Sequence, residues 1–531
     1  MTTSFLILSA FCAAACVLAG QKLIHWFQLE SYQFPGYFRS LKRGGLRSWV
    51  PGLLLCVLSL GLTMVFSLVG QGDFSILSAL LYGALFLLGG EGIRRLTAEK
   101  AAKKPLVFTY RVKRLHAITF MVIFALYFLT LRLTRLAWWA SAFFMLLPLW
   151  LACGGLFAWP VEKFINELYF RDAQRILRQR PDLIRIGITG SWGKTSVKFI
   201  LGALLQEKYN TLITPSSFNT PMGLTSVIRT KLEPGHRVFV AEMGARHVGD
   251  IKELCRLVHP QFGVLTSVGP QHLDTFHTLD RIRKTKYELM DAIPSDGSCF
   301  FADDDGIVLE LYEKTQKEKF LAGLDGQRDD VWAENIHTSP VGSDFILRMG
   351  DERVPCHTEM LGELNIRNIV LCASVCRKLG MSALEISRGI AKLQPVEHRL
   401  QLIRNPGGMT VIDDAFNSNI LGARQAFQVL KRFPGRRVIV TPGMVELGQR
   451  EEELNRAFGR DMADCCDVAI LVGRKHSQAI VEGLVESGFP REQIFVVRSL
   501  AEATDTLRSQ RIGAGDSVLF ENDLPDHYNE S

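Results

Sequence analysis

The chain has 531 residues, room for about three or four domains, and its formal charge of +7 is slight for that length. Basic residues are not interleaved with aromatic ones, so no nucleic acid partner is expected, and the 11 cysteines form no Cys-x-x-Cys pair, which disfavours a disulfide framework or a zinc ribbon. Apolar residues make up 47% of the sequence and charged ones 22%, so the apolar residues must be gathered in one part of the chain.

That part is the beginning. Residues 4–20, 50–69, 74–90, 117–131 and 137–158 are long, nearly uncharged runs of the length that crosses a hydrocarbon core. No basic residue precedes the first run, which favours a retained helix over a cleaved signal peptide. The connection 21–49 carries Lys22, Arg39, Lys42, Arg43 and Arg47, and the connection 92–116 carries Arg94, Arg95, Lys100, Lys103, Lys104, Arg111, Lys113 and Arg114. The positive-inside rule puts both in the cytoplasm, the N-terminus outside and everything after Pro160 inside, with Arg132 and Arg135 running against it. The expected location is a bacterial cell membrane, with membrane lipid as a partner. Residues 161–180 then mix Phe164, Ile165, Leu168, Phe170, Ile176 and Leu177 with Arg171, Arg175, Arg178 and Arg180. This suits either an amphipathic helix lying on anionic lipid or a connecting helix with a solvated basic face.

Gly187-Ile-Thr-Gly-Ser-Trp-Gly-Lys-Thr-Ser196 lies between an apolar run at 183–188 and an apolar-periodic segment at 197–205, and reads as strand, glycine-rich turn and helix start. Gly190 and Gly193 permit the bend, amides at the helix start face an anion, Lys194 reaches phosphate and the Thr195 hydroxyl can join a magnesium ion. Ile188 stands where the common Walker form has a glycine. Short β-rich runs at 237–241, 262–268, 299–302, 411–412, 437–441, 468–472, 494–497 and 517–520 alternate with helical patterns, which predicts parallel sheets with helices on both faces. Glu242 ends one of these strands, His272 follows another, and Lys286 comes fourteen residues later.

In order along residues 183–520 these motifs resemble the Mur ligase family, the ATP-dependent amide-forming enzymes of peptidoglycan synthesis, and most of all its branch that adds D-alanyl-D-alanine. The resemblance matches Thr189, Gly190, Ser191, Gly193, Lys194, Thr195 and Ser196 to the family's ATP loop, and the segment at Asn219 to its second loop. It implies that Thr195, Glu242, His272 and a carbamylated Lys286 hold Mg2+, that Lys194, His272 and Lys286 are catalytic, and that Asn368 meets adenine. Arg399 and Asp414 then reach ATP from the following domain. Residues 413–419 and 443–448 look like the two signature turns of that domain. The implied reaction turns a carboxylate into an acyl phosphate at the expense of ATP, and an amine then displaces phosphate.

The expected architecture is a multi-span α-helical membrane region (1–160), a juxtamembrane linker helix (161–180), and then α/β: a central P-loop-type ATP-binding domain (181–395) and a C-terminal Rossmann-like domain (396–531). Three departures from the family bear on substrates. Membrane spans stand in place of the UDP-sugar-binding domain, which favours a lipid-linked over a UDP-linked carboxylate. Glu521-Asn-Asp-Leu-Pro-Asp526 replaces a Lys-Gly-Ser-Arg segment, which argues against D-alanyl-D-alanine as the amine. Trp192, Phe301, Leu364 and Phe416 occupy places that are usually polar. Two alternatives stay open: a ligase of another polymer, of the poly-γ-glutamate kind, and a non-catalytic ATP-sensing regulator that recruits cell-wall enzymes as partners.

Overall fold

The computed structural model describes residues 2–69, 75–98, 105–134, 137–215, 218–304, 306–339, 341–404, 408–415, 420–445, 447, 450–473 and 477–522. The chain divides into two compact units, residues 1–168 and 169–531.

The first unit is helical. Five helices are long and apolar enough to cross a membrane, Thr2–Ala19, Val50–Leu68, Ile76–Thr97, Tyr110–Leu133 and Ala140–Arg178; each overlaps one of the five apolar runs, and the fifth continues without a break through residues 161–178. The first basic connection is not a plain loop. It holds helices Gln21–Leu29 and Phe34–Gly44, the second opened by a proline in its first turn and closed by Gly45 at φ +51. Close packing rests on small residues: a Cβ on Gly90 would meet the Ala15 backbone at 2.9 Å, and one on Gly83 the Phe11 ring at 2.6 Å. Inside the unit Ser59 Oγ hydrogen-bonds Tyr82 OH at 2.8 Å and Ser141 Oγ at 2.7 Å, and the buried carboxylate of Glu162 accepts from Arg114 at 2.6 and 2.9 Å.

The second unit contains two sheets. The strands of the first are β1 (Ile184–Thr189), β2 (Thr211–Ile213), β3 (Val238–Glu242), β4 (Phe262–Leu265), β5 (Ser298–Ala302), β6 (Glu318–Gly323), β7 (Val331–Ser339), β8 (Gly342–Met349) and β9 (Glu352–Thr358), in the order β2-β3-β1-β4-β5-β6-β7-β8-β9. β1 lies in the interior of the sheet with helices on both faces, so its run Ile186, Gly187, Ile188 and Thr189 is buried without alternation. Helices Lys194–Leu205 and Glu363–Lys378 pack on one face, and Pro221–Lys231, Asp250–Val258 and Leu279–Ala292 on the other. The parallel strands that the sequence predicts are joined by an antiparallel meander that it does not, β7, β8 and β9. Its inward residues Val331, Ala333, Phe345, Leu347, Met349 and Cys356 join the core while their neighbours face out, the half-buried alternation of an antiparallel edge.

The second sheet comprises β10 (Gln401–Arg404), β11 (Thr410–Asp414), β12 (Arg437–Thr441), β13 (Val468–Val472), β14 (Ile494–Val497) and β15 (Ser517–Glu521), in the order β10-β11-β15-β12-β13-β14. All pair in parallel except β10, an antiparallel edge strand.

Residues 169–178 belong to this unit. Phe170, Ala173 and Leu177 share a core with Leu224, Ile228 and Phe239, Asp172 pairs with Arg229 at 2.8 Å, and Gln174 donates to the Arg256 carbonyl at 2.7 Å. The apolar residues of the linker therefore divide: Phe170, Ala173 and Leu177 are buried in the second unit, while Phe164 and Leu168 stay exposed. Leu177→Ala is expected to destabilise the second unit by about 2–5 kcal/mol, whereas Arg175→Ala, whose ion pair is exposed, should change it by under about 0.5 kcal/mol. Denaturant unfolding followed by hydrogen exchange in helix Pro221–Lys231 measures both.

Candidate active site

β1 delivers the chain to a turn that only glycine fits. A Cβ on Gly190 would overlap the Thr266 hydroxyl and lie 2.9 Å from the Ser267 amide, and Gly193 takes φ +80 as the N-cap of helix Lys194–Leu205. The first-turn amides of that helix lack intrahelical acceptors and carry the positive end of its dipole, a ready anion site. Lys194 Nζ curls back to donate to the carbonyls of Gly190 and Ser191, each at 2.7 Å. Burial of its ammonium lowers its pKa from 10.5 to about 8; Glu242 opposes the shift and Arg399 adds to it.

Glu242 is the polar centre of the site. At the end of β3 and only 2% exposed, it accepts from Thr195 Oγ1 at 3.2 Å to both oxygens, from Asn219 Nδ2 at 3.1 Å and from Lys198 Nζ at 3.0 Å. Its amide donates to Thr214 Oγ1 at 3.2 Å. Thr189 is fully buried and donates to the Met243 carbonyl at 3.1 Å, and Ser196 is buried on the first turn of the helix.

His272 caps the short helix Leu273–Phe276 at φ +53, and its carbonyl accepts from the Thr275 hydroxyl at 3.0 Å. Lys286 lies buried on helix Leu279–Ala292, and its pKa is well below the usual lysine value. Desolvation is the main cause and repulsion by Lys194 the next, partly offset by Asp250 and Glu288. Asn368, buried on helix Glu363–Lys378, puts Oδ1 3.4 Å from where a Cβ of Gly193 would stand. Among the described residues no three His, Cys, Asp or Glu side chains gather as a metal cage. A hydroxyl, a carboxylate and phosphate oxygens are nonetheless a donor set that suits magnesium, which keeps few protein ligands.

Arg399 enters from the second sheet. It is the middle residue of a turn whose flanks, His398 and Leu400, both have positive φ (+58 and +47). His398 Nδ1 hydrogen-bonds Asp413 Oδ2 at 2.7 Å, and the Leu400 amide donates to Asp414 Oδ1 at 3.1 Å. Desolvation lowers the Arg399 pKa, against the attraction of Asp414, Glu242 and Glu521. Asp414 is raised by burial and opposed by Arg399. It stands in register with Glu521, which is fully buried at the end of β15. Of the two signature turns, residues 416–419, 446 and 448 lie outside the described residues, as do Asp523 and Asp526.

The structure thus brings Thr195, Asn219 and Glu242 together, with Lys194 and Arg399 within electrostatic reach of Glu242 and Lys286 within that of Lys194. Sequence reasoning missed Lys198. The signal was there: a lysine one turn after Lys194, on a helix of Val197, Ile200 and Leu201, needs a buried carboxylate.

Sheet, phosphate loop and second α/β sheet define a two-domain nucleotide-dependent enzyme. The profile of the Mur ligase middle domain matches residues 188–376, and that of the Mur ligase, glutamate ligase domain matches residues 398–521. The chain is 29% identical over 324 residues to the UDP-N-acetylmuramoyl-tripeptide--D-alanyl-D-alanine ligase of Escherichia coli, over 60% of this chain and 72% of that one. It is 30% identical over 365 residues to the enzyme of that name from Mycobacterium leprae, over 63% and 70%. A crystal structure of MurF from Acinetobacter baumannii superposes with a TM-score of 0.62 at 26% identity, covering 68% of this chain and 78% of the other. The chain belongs to the Mur ligase family. It is accordingly an ATP-dependent, ADP-forming carboxylate–amine ligase.

Lys198→Met would strand a buried carboxylate at Glu242. A loss of about 3–5 kcal/mol is expected in urea unfolding, with Glu242→Gln in the same background recovering part of it.

Proposed function

We propose that this protein is a membrane-anchored ligase of cell-wall precursor synthesis, held by five transmembrane helices with the N-terminus outside and the ligase domains in the cytoplasm. The domain limits we assign are 1–160 for the membrane region, 161–180 for the linker, 181–395 for the ATP-binding domain and 396–531 for the C-terminal domain. The observation that carries the reading is the set of groups around Glu242: the Thr195 hydroxyl of a phosphate loop and Lys198 bond one buried carboxylate, with Lys194 of the loop and Arg399 of the second sheet within its electrostatic reach.

In this reading the amides after Gly193, with Lys194, bind the ATP phosphates. Asn368 holds adenine, and Arg399 and Asp414 complete the nucleotide site from the second sheet. The substrate carboxylate attacks the γ-phosphorus, giving acyl phosphate and ADP. The amine then adds to the acyl carbon, loses a proton and expels phosphate. Lys194 and Arg399 bear the charge that builds on phosphoryl oxygens. Thr195 and Glu242 would hold one Mg2+ and His272 with carbamylated Lys286 a second, and these ions supply further neutralisation of phosphoryl charge. The fit of Lys286 is chemical: carbamylation needs an uncharged amine, and a buried lysine repelled by Lys194 is uncharged at neutral pH more readily than a solvated one.

The carboxylate substrate is proposed to be borne on a lipid at the cytoplasmic surface, because confinement to the membrane plane lets an anchored enzyme meet it in two dimensions. The segment Glu521 to Asp526 carries no lysine or arginine in place of the family's Lys-Gly-Ser-Arg segment, which supports an amine other than D-alanyl-D-alanine.

Phosphate release by the detergent-purified chain, with UDP-linked and undecaprenyl-linked muramoyl peptides crossed against amino acids, dipeptides and ammonia, tests the assignment. Turnover with a lipid-linked acid and one amine is expected; turnover with UDP-linked acids alone would refute the lipid assignment. Lys194→Ala should abolish ADP formation. Since the ammonium must be charged to bind phosphate and titrates near 8 in the free protein, ATP affinity should be full below that pH. It should weaken by up to about tenfold per pH unit above it, and Lys194→Arg should flatten the profile. Isothermal titration at pH 7 to 9.5 reads this out, with a flat wild-type profile counting against it.

A further inference from the structure

The phosphate loop is bolted to the segment after β4 by a dense set of bonds. The Ser191 amide donates to the Ser267 carbonyl at 2.9 Å, and Ser191 Oγ both donates to the Gly269 carbonyl and accepts from the Gly269 amide, each at 3.0 Å. The Trp192 amide donates to Ser267 Oγ at 2.8 Å, and the Trp192 carbonyl accepts from Ser267 Oγ at 2.8 Å and from Thr266 Oγ1 at 2.5 Å. The half-buried Trp192 indole completes the bolt: it lies on the Cα of Gly269, where any Cβ would overlap the ring edge. Tryptophan at 192 thus requires glycine at 269. Three residues further on stands His272, in a left-handed conformation with no glycine to ease it, so its place depends on how firmly the preceding segment is held.

We propose that Trp192 is a positioning residue for the ligase reaction: its indole clamps Gly269 and so sets the segment that carries His272 relative to Lys194 and Glu242. Its backbone would keep the loop bolted with any side chain. What the indole adds is the stacking surface that stops the segment from lifting away, and with it the geometry of His272. The argument rests on the assignment of His272 to the metal-binding set, and the test separates the two.

In the full-length ligand-free protein, hydrogen exchange of peptides covering 269–277 should rise about tenfold in Trp192→Ser and stay near wild type in Trp192→Phe. The Mg2+ concentration for half-maximal binding of N-methylanthraniloyl-ATP should rise about three- to tenfold in Trp192→Ser, as expected for a group displaced by a fraction of an ångström. Gly269→Ala alone should lose nucleotide binding, and adding Trp192→Ser should restore it to the level of Trp192→Ser, which keeps the contact testable if one single variant folds poorly. Unchanged exchange in Trp192→Ser, or a Gly269→Ala variant that binds like wild type, would overturn the role of Trp192. An unchanged Mg2+ requirement in His272→Ala would overturn the metal role of His272 instead.

Discussion

The second unit depends on one buried ion pair, Lys198 with Glu242. Both side chains are almost wholly removed from water, and the desolvation of two such charges costs several kcal/mol each unless geometry and further hydrogen bonds restore it. Asn219 and Thr195 provide those bonds, and the loop after β2, the start of helix Lys194–Leu205 and the end of β3 are fixed against one another as a result. Two lysines of one helix, four residues apart, act on the carboxylate: Lys198 is ion-paired with it, while Lys194 acts at a distance, its ammonium bonded to the loop carbonyls of Gly190 and Ser191. A carboxylate matched in this way can accept another cation without leaving a strong negative charge behind when none is bound.

The depressed Lys194 and Lys286 belong to the same economy of charge. Burial is the main cause of both shifts, and repulsion adds to it, of Lys286 by Lys194 and of Lys194 by Arg399. Such a pocket is destabilised when empty and stabilised by an anion, as a site for polyphosphate should be.

Much of this was legible in the sequence because glycine spacing and apolar runs carry it. β12 and β13 fall where the runs at 437–441 and 468–472 put them, since parallel strands buried on both faces have no alternation to confuse, and the edge strand β14 falls at 494–497 on its β-branched and aromatic residues. β7 to β9 escaped notice because their half-buried pattern interleaves Glu334, Arg348 and Glu352 with the core residues, and β2 has only three residues to show. Within the site, residues on the phosphate loop could be read from local chemistry. The contribution of Ser267 and Gly269 could not, because they act through a loop more than 70 residues away. The linker helix offered two readings from its amphipathic pattern alone; its second half packs Phe170 and Leu177 against helix Pro221–Lys231, while Phe164 and Leu168 in its first half are exposed.

The turn at Arg399 shows how the second sheet can reach the first. Two consecutive aspartates in a β-strand point to opposite faces, so Asp413 and Asp414 can grip the two ends of one short turn, His398 on one side and Leu400 on the other. Each flank pays about 1–3 kcal/mol for a left-handed conformation without glycine, and hydrogen bonds to a charged group return about 1.5–3 kcal/mol each. The balance is close, so the turn persists only where β10 lies in register on β11, with Gln401 opposite Asp413. Arg399 is therefore held, within electrostatic reach of Glu242, by an edge strand and a pair of adjacent carboxylates rather than by its own preference.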